Sequence, residues 1–292
     1  MSNIIITSDE TVDLNYAISN DLTELEHVLN VVQNGSNKDL NDLGIRNISA
    51  FTFSPKDSDG IGEKYIFDVN GESKDLTVEV IDIPTNGIWY LPLTESSGST
   101  TKDIINGNSG TLGGTSSWAS GLVGNYSVNF TDSENDFVSI GNLDTSDLSE
   151  WTISAWAYPV KGASQTWTGI LHSSDADING WGLNHHTGQD EWRLTIQSDY
   201  TNSGLGDFSH PVLYDEWQLV TITNKNSTLK LYINGEEKSS TSGSYDLDLS
   251  NVNIGKYIWK GESRHYKGKI DAPFISNSAL SQTEIMNWYN KI

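Results

Sequence analysis

The chain has 292 residues, 17 basic and 39 acidic side chains, a formal net charge of −22 and no cysteine. That length suits one large β-domain plus a smaller unit, or two domains. The acidity excludes a nucleic-acid partner, which needs clustered Lys and Arg, and the three arginines (Arg46, Arg193, Arg264) lie far apart. The missing cysteines remove disulfides, thiolate metal sites and cysteine nucleophiles.

The opening Met1–Thr7 has neither a basic n-region nor an apolar h-region, so no signal peptide is expected. No apolar run approaches the ~20 residues of a membrane helix, so no membrane insertion is expected either. Residues 20–33 read as one helix. Leu22, Leu25, Val28, Leu29 and Val32 follow helical spacing, Asn20 or Asp21 can cap it, and Gly35 lies beyond as a stop. Its apolar stripe either packs on the same chain or self-associates about a symmetry axis, as in a trimer or another cyclic oligomer. Residues 1–44 are thus an extended and helical attachment segment.

Residues 45–86 read as a small β-rich unit. Ile48–Phe53, Lys64–Val69 and Leu76–Ile83 are β-branched and aromatic, and Asn70-Gly71 is a tight-hairpin signal. Residues 1–84 hold 16 acidic and 5 basic side chains, and the division falls near Pro84-Thr85-Asn86-Gly87. All ten tryptophans lie beyond it, between Trp89 and Trp288.

From Gly87 to the end, short alternating runs are separated by Gly, Asn, Asp and Ser. Examples are Tyr126–Ile140, Trp151–Tyr158, Trp217–Thr223 and Leu229–Ile233, with Asn179-Gly180 and Asn234-Gly235 as hairpin turns. Many short strands without alternating helices indicate a sandwich or jelly roll. One helix closes the chain. Ser281 and Glu284 form a capping box, Leu280 and Ile285 a hydrophobic staple, and Ile285, Trp288 and Tyr289 share the docking face.

These residues carry a resemblance. Ile88–Leu93, Ser97–Asp103, Val128–Phe130, Asp136–Ile140, Trp151–Trp156, Trp217–Val220, Leu231–Gly235, Gly268–Asp271 and Ala279–Ile285 occur in the order of the laminin-G-like modules. Residues 87–292 therefore resemble a jelly roll of the concanavalin A-like lectin/glucanase superfamily. The resemblance implies an all-β fold: an antiparallel sandwich of two sheets, six or seven strands each, followed by the short C-terminal helix. The chain departs from the family at Asp271-Ala272-Pro273, where a proline implies a strand edge or a bulge.

Hydrolases of this superfamily place two glutamates and an aspartate on alternate positions of one strand, hence on one face. Glu79-Val80-Ile81-Asp82-Ile83-Pro84 has proline in place of the second glutamate. In Asp190-Glu191 and Asp215-Glu216 the carboxylates are adjacent and diverge, and Glu134 and Asp136 lack a third. The histidines sit in no nucleophile motif. The expectation is therefore no enzyme, with a glycoside hydrolase as the remotest alternative.

Calcium is expected as a structural cofactor. Asp175-Ala176-Asp177-Ile178-Asn179-Gly180 alternates oxygen ligands before a glycine, though a polar hairpin loop explains the same residues. The resemblance adds Asp271, which matches an aspartate that binds calcium in laminin-G-like folds.

Trp156, Trp217, Phe130 and Phe137 fall on strand alternations and read as core. Trp118, Trp167, Trp181, Tyr200 and Trp259 stand in polar, loop-like contexts, where aromatic faces either stack on sugar rings or pack under loops. Together these features suggest a non-enzymatic virion surface or tail-associated protein. Its N-terminal region would bind other virion proteins and its lectin-like domain host-surface glycans. The alternative is a purely structural capsid or tail decoration protein without sugar binding.

Overall fold

A computed structural model describes residues 2–8, 29–33, 36–38, 51–55, 64–69, 72–82, 86–123, 126–143, 148–174, 180–196, 208–243 and 245–290. The chain divides into two compact units, built chiefly on Met1–Ile83 and on Pro84–Leu93 with Ser99–Asn290.

The first unit contains one sheet. Its strands are β1 (Ser2–Ser8), β2 (Leu29–Gln33), β3 (Ser36–Lys38), β4 (Phe51–Pro55), β5 (Lys64–Val69) and β6 (Glu72–Asp82), in the order β3-β2-β1-β6-β5-β4. The central β1 pairs parallel with β2 and antiparallel with β6. This corrects the expected helix over 20–33, because Leu29–Gln33 is a strand and residues 20–28 lie outside the described residues. Leu29 and Val32 do fit a helical stripe, but a short window cannot reveal a strand partner more than twenty residues away. The register Ile4↔Leu29 to Ser8↔Gln33 supplies that partner. Asn70-Gly71 lies outside the described residues, and its flanks pair as a tight hairpin does, Val69 with Glu72.

The second unit opens with β7 (Gly87–Tyr90), β8 (Thr100–Lys102), β9 (Ser109–Leu112), β10 (Ser117–Ser120), β11 (Tyr126–Thr131) and β12 (Val138–Gly141). It continues with β13 (Trp151–Pro159), β14 (Trp167–Ser173), β15 (Trp181–His186), β16 (Glu191–Ile196), β17 (Ser209–Pro211) and β18 (Gln218–Lys225). Then come β19 (Thr228–Ile233), β20 (Glu236–Ser242), β21 (Val252–Ile254), β22 (Lys256–Trp259), β23 (Glu262–His265), β24 (Lys267–Ser276) and the helix α1 (Gln282–Asn290).

Two eight-stranded antiparallel sheets result. One runs β10-β11-β24-β13-β18-β19-β20, with β7 also on β24; the other runs β17-β16-β15-β14-β21-β12-β9-β8. Apolar rows cross them in register, Ile153, Ile222 and Leu231 in the first and Leu171, Leu183 and Leu194 in the second. These residues belong to one buried cluster between the sheets, so the fold is the expected all-β sandwich. Asn234 and Gly235 both take positive φ (53° and 80°) in the expected hairpin turn.

Pro273 sits on an interior strand, not an edge. The register jumps from Ser154↔Phe274 to Trp156↔Asp271, so Ala272 and Pro273 together oppose one residue. A bulge removes the need for the missing amide donor, while the Pro273 carbonyl still accepts from Leu91 N at 3.1 Å.

The capping box forms as the sequence implied. Glu284 Oε2 accepts from Ser281 N and Oγ, both at 2.7 Å, and Glu284 N donates to Ser281 Oγ at 3.3 Å. Helix α1 then covers the outer face of the first sheet. Trp288 lies edge-on to Phe274 at 5.2 Å, and Tyr289 stacks on Trp156 at 5.6 Å.

Candidate functional site

The outer face of the second sheet carries a different cover, the hairpin β22–β23. Its turn, Lys260-Gly261, has positive φ at both residues (53° and 77°), the form that matches strand twist. Two glycines let it approach. A Cβ on Gly169 of β14 would stand 2.1 Å from the Lys256 carbonyl oxygen, and one on Gly182 of β15 would stand 2.8 Å from the Tyr257 ring. Side chains then hold the hairpin down. Ile258 N donates to His172 Nε2 at 3.2 Å, His265 N donates to Gln165 Oε1 at 2.8 Å, and Gln165 Nε2 donates to Ser263 O at 3.2 Å.

An open cleft of ≈520 Å³ lies between this hairpin and the segment leading into β14. It is lined by Ser164, Gln165, Thr166, Trp167, Tyr257, Trp259, Glu262 and Arg264. Alternation along β22 places Tyr257 and Trp259 on one side, with ring centroids 6.4 Å apart and planes 19° apart. Trp167 adds a third ring 6.5 Å from Tyr257. Trp167 is 7% exposed and Tyr257 1%, so they form the floor, while the partly exposed Trp259 stands at the mouth.

The floor is braced from beneath. His186 packs edge-on to Trp167 at 4.3 Å, and Gln189 N donates to His186 Nδ1 at 3.0 Å. Burial, then Arg193, keep this imidazole below the usual histidine range, so it is neutral at pH 7. Arg193 lies 5.7 Å from the Trp167 ring and is clamped by Glu191 Oε2, at 2.6 Å from Nη2 and 3.0 Å from Nε.

Of the aromatics expected to bind sugar, the structure brings Trp167 and Trp259 together. Trp181 is corrected to core: it is fully buried between the sheets, and its Nε1 donates to Asp248 O at 2.5 Å. Trp118, on the edge strand β10, is half-buried against the same core and does not line the cleft. Tyr200 lies outside the described residues. Among the rings read as core, Phe130 and Trp156 are buried, but Phe137 and Trp217 are only partly so. Tyr257, Glu262 and Arg264 were missed, although the period-two spacing of Tyr257 and Trp259 beside Lys260-Gly261 is a hairpin signal.

Asp136 and Asp190 each accept hydrogen bonds within the fold. Asp136 is buried and accepts from the backbone and hydroxyl groups of both Thr115 and Thr131. Burial pushes its carboxyl up, but those hydrogen bonds outweigh it and hold the carboxyl below its ordinary value. Asp190 accepts the Tyr214 phenol, whose oxygen also lies 3.1 Å from His185 Nε2. Burial and Asp190 push the phenol above its usual range, which keeps its proton in place.

Asp271 is fully buried, and its Oδ2 accepts from Leu122 N at 2.7 Å and Val123 N at 2.8 Å. That oxygen is committed to backbone amides. Among the described residues no group of three or more His, Cys, Asp or Glu side chains could hold a metal. Asp175, Asp177 and Asn179 lie outside the described residues.

The two-sheet antiparallel sandwich is a lectin-like fold. The chain belongs to the concanavalin A-like lectin/glucanases superfamily, whose laminin G model matches residues 132–286. No curated protein matches it. Among solved structures it is similar to domain 4 of AbnA, a GH43 extracellular arabinanase from Geobacillus stearothermophilus, in complex with arabinotriose. That match has a TM-score of 0.53 at 17% identity and covers 71% of this chain and 100% of that one. The botulinum neurotoxin serotype G binding domain gives 0.52 at 18% identity, covering 70% of this chain and 50% of that one. A mutant of Trypanosoma rangeli sialidase displaying trans-sialidase activity gives 0.52 at 12%, covering 82% and 44%. At such identities the likeness is one of fold. Among the described residues no helix is long and apolar enough to cross a membrane.

Proposed function

We propose that the sandwich unit is a non-catalytic glycan-binding module whose contact surface is the cleft at the β22–β23 hairpin. The observation that carries this reading is Trp259. It stands partly exposed at the mouth, beside a floor of Trp167 and Tyr257 and beside the polar groups of Ser164, Thr166, Glu262 and Arg264. An aromatic face covers the apolar side of a sugar ring, and neighbouring polar groups bond its hydroxyls. The arabinanase domain of the same fold was solved with arabinotriose, which is consistent with that use. Most glycosidases place a pair of carboxyl groups across the bond, and Glu262 is the sole carboxylate among the described residues of the cleft.

A glycan array tests the reading. Wild type is expected to bind a defined set of oligosaccharides that Trp259→Ala no longer binds. A blank array overturns it and leaves the decoration role; release of reducing ends overturns the non-catalytic part.

The acidic first unit ahead of a recognition module suits a virion surface or tail protein, with self-association multiplying weak sugar contacts. Sequencing the genomic neighbourhood tests that setting: capsid, portal and tail genes beside this one are the expected result, and their absence overturns it. A monomer mass by light scattering at all concentrations removes self-association. Calcium belongs to the proposal as a structural ion, on the spacing of Asp175, Asp177 and Asn179. A melting temperature that rises with calcium and falls with EDTA is expected, and an unchanged one removes the ion.

A further inference from the structure

The stretch made of the hairpin and the start of β24 reverses the charge of the chain. From Lys256 to Lys269 the sequence carries Lys256, Lys260, Arg264, Lys267 and Lys269 against the single carboxylate of Glu262, in a chain of 17 basic and 39 acidic residues. Several of these cations are already engaged. Lys256 Nζ lies 4.3 Å from the Phe137 ring, Lys267 Nζ donates to Gly162 O at 3.0 Å, and Lys269 Nζ lies 4.9 Å from the Tyr158 ring. Arg264 lines the cleft.

The two arginines of this face differ in a telling way. Arg193 is locked to Glu191 by two hydrogen bonds. Arg264 approaches Glu262 only to 3.6 Å, longer than a hydrogen bond, and the Glu262 side chain is 76% exposed. Such a surface pair contributes little in water, so a ligand anion can displace the glutamate. The Arg264 guanidinium meanwhile sits 5.9 Å from the Tyr257 ring, which orients the fork before any ligand arrives. A planar fork held in place matches a carboxylate with two parallel N–H bonds.

We infer that the cleft selects glycans bearing a carboxylate, with Arg264 taking the acid group and Trp259 the sugar face. This rests on reading the cleft as a glycan site. In a chain of net charge −22, this local excess of cations favours an acidic saccharide at the hairpin.

Calorimetric titration of the full chain compares trigalacturonate with galactotriose and sialyllactose with lactose. Each acidic sugar of the preferred kind is expected to bind about tenfold or more tighter than its neutral counterpart, the order of a charge-assisted bond. Which pair shows the preference identifies the source of the acid. Added salt is expected to narrow the gap. Arg264→Gln is expected to weaken the acidic sugar at least tenfold more than the neutral one, so that the preference disappears, and Arg264→Lys to restore part of the preference. A merely structural arginine would weaken both sugars alike. Equal affinity for acidic and neutral partners, both lost in Trp259→Ala, overturns this inference and leaves the glycan reading standing. Failure of all four sugars also overturns it, and the array above decides the broader reading separately.

Discussion

On the helix-covered face, Trp288 meets Phe274 at 5.2 Å and Tyr90 at 6.4 Å, and Tyr289 lies 5.6 Å from Trp156. At the cleft, Tyr257 meets Trp259 at 6.4 Å and Trp167 at 6.5 Å. Ring type and spacing are much the same. The difference is the lid: α1 closes the first cluster with its own aromatic face, whereas the β22–β23 hairpin supplies rings to the second and leaves the last one partly exposed. An aromatic cluster becomes a candidate site where its cover stops short, and ring count alone does not distinguish it from core.

The largest expected effect tests the closed cluster. Trp288→Ala should cost about 3–5 kcal/mol, since it empties a packed aromatic site. Chemical denaturation measures this, and the fraction still folded should bind glycan as wild type does. The next effect comes from behind the open cluster, where His185 is 1% exposed against Trp192. Burial pushes its pKa from 6.5 down to about 4, so the folded state takes up this proton later than the unfolded chain. Stability should therefore be full above pH 6.5 and fall, on the order of 3 kcal/mol, as the pH drops from 6.5 toward 4. His185→Gln should flatten that part of the pH profile.

Gly169→Ala probes how the hairpin seats. Its Cβ would meet backbone, so about 1–3 kcal/mol of overpacking and a displaced cleft are expected. Glycan binding should fall far more than the melting temperature. Trp259→Ala, the smallest stability change at about 1 kcal/mol or less, should abolish binding while leaving the melt nearly unchanged. Were Trp259→Ala to destabilise as much as Trp288→Ala, the distinction between a closed and an open cluster would collapse.

Much of the sandwich is legible in the sequence because its signals are local. Alternation in Trp151–Tyr158, the Asn234-Gly235 turn and the Ser281/Glu284 capping box each lie within a few residues of the geometry they specify. The misread parts depend on distant partners. Leu29–Gln33 satisfies a helical stripe until β1 offers it a ladder. Trp181 stands in a polar context by sequence, yet register with Ile196 and a bond to Asp248 O place it in the core.

Composition and local pattern were enough to establish an acidic, cysteine-free chain with an antiparallel sandwich and a capped terminal helix. They also singled out Trp167 and Trp259, ninety-two positions apart, as members of one set. That these two rings share a cleft while Trp118 and Trp181 do not was decided by how the hairpin folds over β14. The approach depends on the bare backbone of Gly169 meeting Lys256, and on Gln165 bonding both Ser263 and His265. Burial of a side chain is a property of what covers it, and here the cover comes from residues remote in the chain.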